Sequence, residues 1–225
     1  MAIGKMSTRE LQKNARRRVI MDAARALIMD GKDRDFSMPA LAEKAGVSLV
    51  TPYNLFGSKS SILMEIVRED IFERVAEIDA LPDNDLPAWI GAVSRTLAGI
   101  YYSNRHFYRR MIVTLVAQES AEEQRTALEL SFAIFTAPLR RLQASGLVSN
   151  ALPAEILARH AAHSVSGSLQ QRLMERGSEA LLRNEIEMGL LVVLAGLCGD
   201  RDRSVLRERM QELAGAETAA PHTTP

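Results

Sequence analysis

Cysteine is almost missing from this 225-residue chain, where Cys198 stands alone. One cysteine excludes an internal disulfide and any zinc site built on thiolates, and it suits a reducing compartment. Long apolar runs are missing as well. The longest, MGLLVVLAGLC at 188–198, is about half of the ~20 residues a membrane span needs. The N-terminus MAIGKMSTRELQKNARRR has no apolar stretch that would serve as a secretory signal, so a soluble, cytoplasmic protein with no membrane partner is expected. Strand-like alternation is absent too. MIVTLV at 111–116 is β-prone, but it lies inside a longer helical stripe. The chain also lacks a phosphate loop, a nucleophile elbow and Cys/His zinc spacing. Accordingly no catalytic residue, cofactor or metal is expected, and the chain is not read as an enzyme.

Net charge is zero only in sum. Residues 1–60 carry +5 and the remainder −5. A basic N-terminal quarter joined to an acidic body points to a nucleic-acid-facing end, with a merely solvated charged face as the alternative.

What is present is helical. STRE at 7–10 has capping-box spacing, Val19, Ala23, Ala26 and Leu27 mark one face, and Gly31 ends the helix. A short helix after Ser37 carries Met38, Leu41, Ala42 and Ala45, and another covers about 49–56. A long helix runs from Ser58 towards Ala80, with Ile62, Ile66, Phe72 and Val75 among its apolar positions, and LPDNDLP at 81–87 reads as a linker. Beyond it, Trp89, Val93, Leu97 and Ile100 share a face, and Phe107, Met111 and Leu115 follow an Asn104 cap. Ser120 and Glu123 form a second capping box before Leu128, Phe132, Phe135, Leu139 and Leu142, and Pro138 is expected to kink that helix. Pro153 fits the first position of a helix lasting to Arg176. Gly177 and Ser178 then oblige helices 153–176 and 179–198 to be antiparallel neighbours. The expected fold is all-α, with residues 216–225 as a disordered tail.

One stretch does not read as core. AGVSLVTPYNLFGSK at 45–59 breaks a helix at Gly46, restarts it at Ser48 and sets Pro52 early in the next segment. Gly46 takes a positive φ without a Cβ penalty. Two short helices joined by a tight Gly-containing turn form a helix-turn-helix unit, here about 37–56. With Ser48 as N-cap, Pro52 falls at the fourth helical position, where its missing amide costs less than at mid-helix. In such a unit the start of the second helix meets base edges in the major groove. That leaves Ser48, Leu49, Thr51, Tyr53 and Asn54 to be presented, while Lys59 heads the next helix with an ammonium suited to phosphate. Phe56 reads as packing; Tyr53 suits contact, with packing as the alternative, and Arg16, Arg17 and Arg18 are either a solvated face or phosphate ligands.

LAEKAGVSLVTPYNLFGSKSSIL, preceded by RRRVIMDAARALIMDG, resembles the DNA-binding segment of the tetracycline-repressor (TetR) family of bacterial regulators over about residues 9–70. The matching residues are LAEKAGVS, Thr51, Tyr53, Phe56, Ser58, Lys59 and Leu63; the family's usual Gly, Leu and His are replaced by Val50, Pro52 and Leu55. Val50 forbids the close backbone approach that Gly permits, and Leu55 removes a phosphate donor. The resemblance implies a DNA-binding domain at 9–60 and a helical regulatory and dimerisation domain at 61–215. It implies phosphate contacts from Ser37, Thr51, Tyr53 and Lys59, with Leu49, Val50, Pro52 and Asn54 facing bases or sugar edges. Apolar side chains there suit thymine methyls, and Asn54 suits adenine.

For the C-terminal body two tasks are expected. The second half of helix 179–198 is apolar nearly all round, so it is covered on more than one side, within the subunit or by a partner. Ser164, Gly167 and Ser168 with Leu182, Ile186, Leu190, Val193 and Leu197 make the candidate homodimer interface, as the resemblance also implies. Trp89, Tyr101, Phe107, Met111, Phe132, Phe135 and His163 are candidate lining for an effector pocket, or plain core. His160 and His163 stand three residues apart but lack a third metal ligand. The expectation is a dimeric DNA-binding regulator that binds double-stranded DNA at a near-palindromic operator. An unidentified small apolar effector among helices 86–145 would tilt helix 58–80 and release it. The alternative is a helical ligand-binding or protein-interaction module without sequence-specific DNA binding.

Overall fold

The computed structural model describes residues 7–30, 36–80, 84–109, 121–174 and 177–219. Their secondary structure is helical: α1 (Thr8–Asp30), α2 (Met38–Lys44), α3 (Val50–Phe56), α4 (Lys59–Asp79), α5 (Leu86–Ser103), α6 (Ala121–Ala144), α7 (Ala154–Met174), α8 (Glu179–Leu194) and α9 (Asp200–Ala219). Residues 105–109 are helical as well. Among the described residues the extended pairing is one isolated antiparallel bridge, between Val148 and Cys198.

The helix starts follow from side chains that satisfy orphan amides. Ser7 and Glu10 form a reciprocal capping box: the Ser7 amide donates to Glu10 Oε2 at 2.8 Å, and the Glu10 amide donates to Ser7 Oγ at 3.2 Å. Ser37 Oγ accepts from the Ala40 amide, Ser58 Oγ from Ser61, Asp85 Oδ1 from Ala88, and Ser178 Oγ from Leu181. Asp85 therefore ends the expected 81–87 linker early, and Leu86 is fully buried as the first residue of α5. Pro153 sits just outside α7, where its carbonyl accepts from the Ile156 and Leu157 amides. α6 carries on past Pro138, which is itself buried. Gly31, Met111, Leu115, Ser120 and Arg176 lie outside the described residues, as do the side chains of Val75, Glu123 and Leu128.

The chain divides into two compact units. The N-terminal unit holds α1, α2, α3, α4 as far as Asp70, and the residues from Asn104. Its core is Ile20, Ala24, Leu41, Ile62, Leu63, Ile66 and Phe107. Val19, expected on the packed face of α1, is exposed; the buried face runs through Ile20, Met21, Ala23, Ala24 and Ile28. Phe72 is likewise exposed.

In the C-terminal unit α8 packs on α5 and α7, and α9 packs on α8 and α5. The expected helix 179–198 stops at Leu194, because residues 197–198 turn to run beside 148–149: the Ser149 amide donates to the Leu197 carbonyl at 2.6 Å. α9 extends to Ala219, into the stretch expected to be a disordered tail. It is tied to α8 by Arg209, whose Nε and Nη2 reach the two oxygens of buried Glu187 at 2.7 and 3.1 Å. A fork on a carboxylate of this kind is a strong hydrogen-bonded pair.

α7 and α8 pack tightly at Gly189. A Cβ there would lie 1.8 Å from Ser164 Oγ and 3.1 Å from Ser164 Cβ. Gly189→Ala is therefore expected to cost about 1–3 kcal/mol more in the parent chain than in a Ser164→Gly background, where the space is free. Urea unfolding of the four variants measures the coupling; equal costs in both backgrounds would contradict this packing.

Candidate nucleic-acid interface

The turn between α2 and α3 is a Schellman closure. The Val47 amide donates to the Ala42 carbonyl at 3.0 Å and the Gly46 amide to the Glu43 carbonyl at 3.1 Å. That pattern needs a left-handed residue just past the helix, and Gly46 has φ +64°. The chain then reverses within Val47 and Ser48. Leu49 is already in helical conformation, and the Thr51 amide reaches the Ser48 carbonyl at 2.9 Å. Ser48 differs from expectation in one respect. Its hydroxyl does not cap an amide but pairs with the Thr51 hydroxyl at 2.8 Å.

At about 3.6 residues per turn, positions 49, 50, 53 and 54 share one face and 52, 55 and 56 the other. The exposures obey this division. Leu49 is 46% exposed, Val50 60% and Tyr53 48%, and Asn54 is exposed beside them. Pro52 is buried. The expectation that Pro52 faces bases is thus corrected: two residues on from Val50 it points to the opposite side and anchors α3 inward. Thr51 lies between the two faces, half-buried.

Arg17 also departs from its expected role. Its Nη1 donates to the Leu55 carbonyl at 2.5 Å, its Nη2 sits 3.1 Å from Glu65 Oε1, and its guanidinium carbon lies 4.2 Å over the Phe56 ring. It is a positioning residue that binds the carbonyl end of α3 to α1 and α4, not a free phosphate ligand. Arg16 and Arg18 are exposed next to it. Ser37 is occupied as the α2 cap while its side chain stays at the surface. The Lys59 ammonium sits 4.7 Å from the Phe36 ring centroid at the head of α4.

Further along the unit, Arg25 of α1 makes a fork on Asp70 at 2.6 and 3.0 Å, and the Tyr108 hydroxyl donates to the same carboxylate. Phe107 lies in this neighbourhood, edge-on to Tyr108 with its ring 5.9 Å from the Arg25 guanidinium. Expected as pocket lining, Phe107 instead belongs to the core of the N-terminal unit. Sequence reading missed the Arg17 and Arg25 ties because each joins residues 38 or more positions apart.

In the C-terminal unit Trp89, Tyr101 and Phe135 are buried, and half-buried Phe132 meets the ring of exposed His163 edge-on at 5.4 Å. His160 and His163 are both exposed, and no group of three metal-capable side chains occurs among the described residues. Three of the expected interface residues, Leu182, Ile186 and Leu190, are fully buried within the subunit. They form its core because their spacing turns them towards α5 and α7. Val193, Leu197, Ser164 and Ser168 are half-buried and Gly167 is exposed; Val192 is 65% exposed. A cleft of about 260 Å³ lies against Ser168, Asn184, Met188, Gly189 and Leu213; none of the expected aromatic lining reaches it. No described helix is long and apolar enough to cross a membrane.

No family model matches the sequence, and no curated protein matches it either. Solved structures do match. Thermus thermophilus FadR, a TetR-family transcriptional repressor in complex with lauroyl-CoA, aligns with a TM-score of 0.70 at 20% identity, over 81% of this chain and 95% of that one. A TetR transcriptional regulator from a Rhodococcus species aligns at 0.64 and 18% identity, over 81% and 97%. Full-length TylP from Streptomyces fradiae, also a TetR regulator, aligns at 0.59 and 17% identity, over 97% of each chain. The fold is that of the TetR-family regulators.

Arg17→Ala is expected to lower stability by about 1.5–3 kcal/mol, the range for hydrogen bonds made by a charged group. Arg17→Lys should recover little, since one ammonium on a shorter stem lacks the two separate Nη groups that here reach the Leu55 carbonyl and the Glu65 carboxylate. Thermal unfolding checks both. Glu65 adds a pH signature. Burial pushes its carboxyl up, but hydrogen bonds from Arg68 and Arg17 outweigh that and hold it below the ordinary 4.5. A depressed carboxylate stabilises the fold above the ordinary value, and the contribution is lost as pH falls below 4.5 through the folded value. Glu65→Gln should therefore lower stability at neutral pH and flatten the acid limb of the stability profile.

Proposed function

We propose that this chain is a sequence-specific DNA-binding transcriptional regulator. It acts as a homodimer and releases a near-palindromic operator when a small apolar molecule binds its C-terminal unit. The observation that carries this reading is the outward face of α3. A seven-residue helix with a buried proline underside presents Leu49, Val50, Tyr53 and Asn54 to solvent. Exposed apolar side chains on a helix held rigidly from behind are suited to a groove, and the helix-turn-helix placement makes that groove the major groove of DNA. Arg16, Lys44 and Lys59 stand to either side in sequence and supply sequence-independent phosphate contacts. Two subunits would place two such helices about one helical turn (~34–36 Å) apart.

The C-terminal unit supports the other two parts. Gly167, Ser168, Val192, Val193 and Leu197 keep small or apolar surface on α7, on the last turn of α8 and just after it, which suits pairing with a second copy. An effector site near Trp89, Tyr101 and Phe135 would join buried aromatic surface to half-buried Phe132 and the exposed His163 ring against it; a similarly folded repressor holding lauroyl-CoA supports an apolar effector. α4 starts in the N-terminal unit and ends in the C-terminal one, so its displacement would convert occupancy into a change of α3 spacing. The effector shifts that equilibrium only by its different affinities for the bound and released forms.

Fluorescence anisotropy on duplexes tiling the DNA around the chain's own gene tests this. One near-palindromic tile should bind tightly with two subunits per site, and log K should fall linearly with log salt at about 0.9 per phosphate neutralised. Arg16→Ala and Lys59→Ala should each reduce that slope by about 0.9 per lost contact, whereas Arg17→Ala should weaken binding and leave the slope unchanged. Uniform, weak binding to every tile and to sites selected from random DNA would favour the ligand-binding module.

A further inference from the structure

From Ala45 to Ser58 the chain carries no charged residue. The surface α3 offers is therefore unusual for a reading helix: it has no arginine or lysine for the O6 and N7 acceptors of guanine, and no carboxylate for the N4 donor of cytosine. The hydroxyls of Ser48 and Thr51 are engaged with each other at 2.8 Å. Arg17, the nearest guanidinium, is held on the Leu55 carbonyl and on Glu65, behind the helix. What remains outward is Leu49 and Val50, side by side at the start of the helix, with Tyr53 and Asn54 one turn on.

We propose that α3 reads thymine: Val50 and Leu49 pack on the C5-methyl groups of a T-containing step in the major groove, Asn54 makes its paired hydrogen bonds to a neighbouring adenine, and α3 specifies no guanine. This rests on the DNA-binding reading above. The discrimination has a definite sign. An isopropyl group pressed on a thymine methyl removes apolar area from water on both partners. The same group pressed on cytosine or on an adenine edge strips water from an amino group and returns no hydrogen bond. Asn54 is the one outward side chain with an amide able to pair bidentately, and that geometry fits adenine N6 and N7.

The arrangement also separates the two components of binding. The cations lie outside 45–58 and meet phosphates, so they set the salt dependence. The apolar pair on α3 carries no charge and displaces no counterions, so its contribution should not change with salt. Base preference and salt slope are then controlled by different residues.

The test begins with selection of operator sequences from random duplex DNA by the full-length chain. A T·A-rich core in each half-site is expected. Deoxyuridine is then placed for thymidine at single core positions, which removes one methyl and leaves base pairing intact. Each methyl at a contacted position should be worth about 3- to 5-fold in affinity, with the log–log salt slope unchanged. In Val50→Ala, an exposed substitution whose folding circular dichroism checks, the deoxyuridine effect should vanish at one position; Leu49→Ala should do the same at another. Placing 5-methylcytosine for cytosine where C·G replaces that T·A pair should restore part of the loss. A selected site with a G·C core that is indifferent to deoxyuridine would overturn methyl reading and leave the DNA-binding regulator standing. A deoxyuridine effect that persists in both alanine variants would overturn its assignment to Leu49 and Val50. Failure to enrich any sequence would overturn the regulator and this inference together.

Discussion

The presentation of α3 depends on the guanidinium of Arg17, which reaches from α1 to the Leu55 carbonyl, the Glu65 carboxylate and the Phe56 ring. A seven-residue helix is too short to hold itself together in water, where isolated helices need roughly 12–15 residues. Pro52 removes one of its few backbone bonds as well. Everything that keeps α3 helical must therefore come from outside it. Gly46 and the Schellman closure fix where it starts, buried Pro52 fixes which side faces in, and Arg17 fixes where it ends. A cation at the carbonyl end also opposes the local helix dipole. Because the supports are all on one side, the other side is free of structural duty.

On the proposed DNA-binding reading, that division would accommodate Val50 where the resembled pattern has glycine. A β-branched residue there would keep the helix backbone away from a groove floor, so any contact would be made by side-chain atoms and not by close backbone approach. Leu49 and Val50 would provide such atoms without charge, and Arg16, Lys44 and Lys59 would provide charge without sequence information. The N-terminal basic excess, visible in composition, is in this view a matter of affinity alone.

Much of the fold was legible because its helix starts are written in local chemistry. Ser7 with Glu10, Ser37, Ser58 and Ser178 each lie within three residues of the amide they satisfy, whereas Asp85, which caps α5 in the same way, was hidden among the turn formers of 81–87. Gly46 was legible for the same reason. The inward turn of Pro52 was missed because the resemblance set it beside Leu49, Val50 and Asn54, although helical periodicity alone puts it on the opposite face from Val50. The fate of Leu182, Ile186 and Leu190 was not legible. An apolar helix reads alike whether its cover comes from its own subunit or from a partner, and here α5 and α7 supply it. α9 was overlooked because few of its residues, Leu206 and Leu213 among them, are buried apolar ones. Its tie to the unit is the Arg209–Glu187 pair, 22 residues apart.

The most direct check on DNA reading by α3 is site-specific photocrosslinking to a bound operator duplex, with a benzophenone side chain at position 53 and, as a control, at position 192. If the outward face of α3 lies in the major groove, position 53 crosslinks to operator bases and unlabelled operator competes the product away, while position 192 gives none. Tight operator binding with no crosslink from position 53, or with crosslinks from position 192 instead, would contradict it.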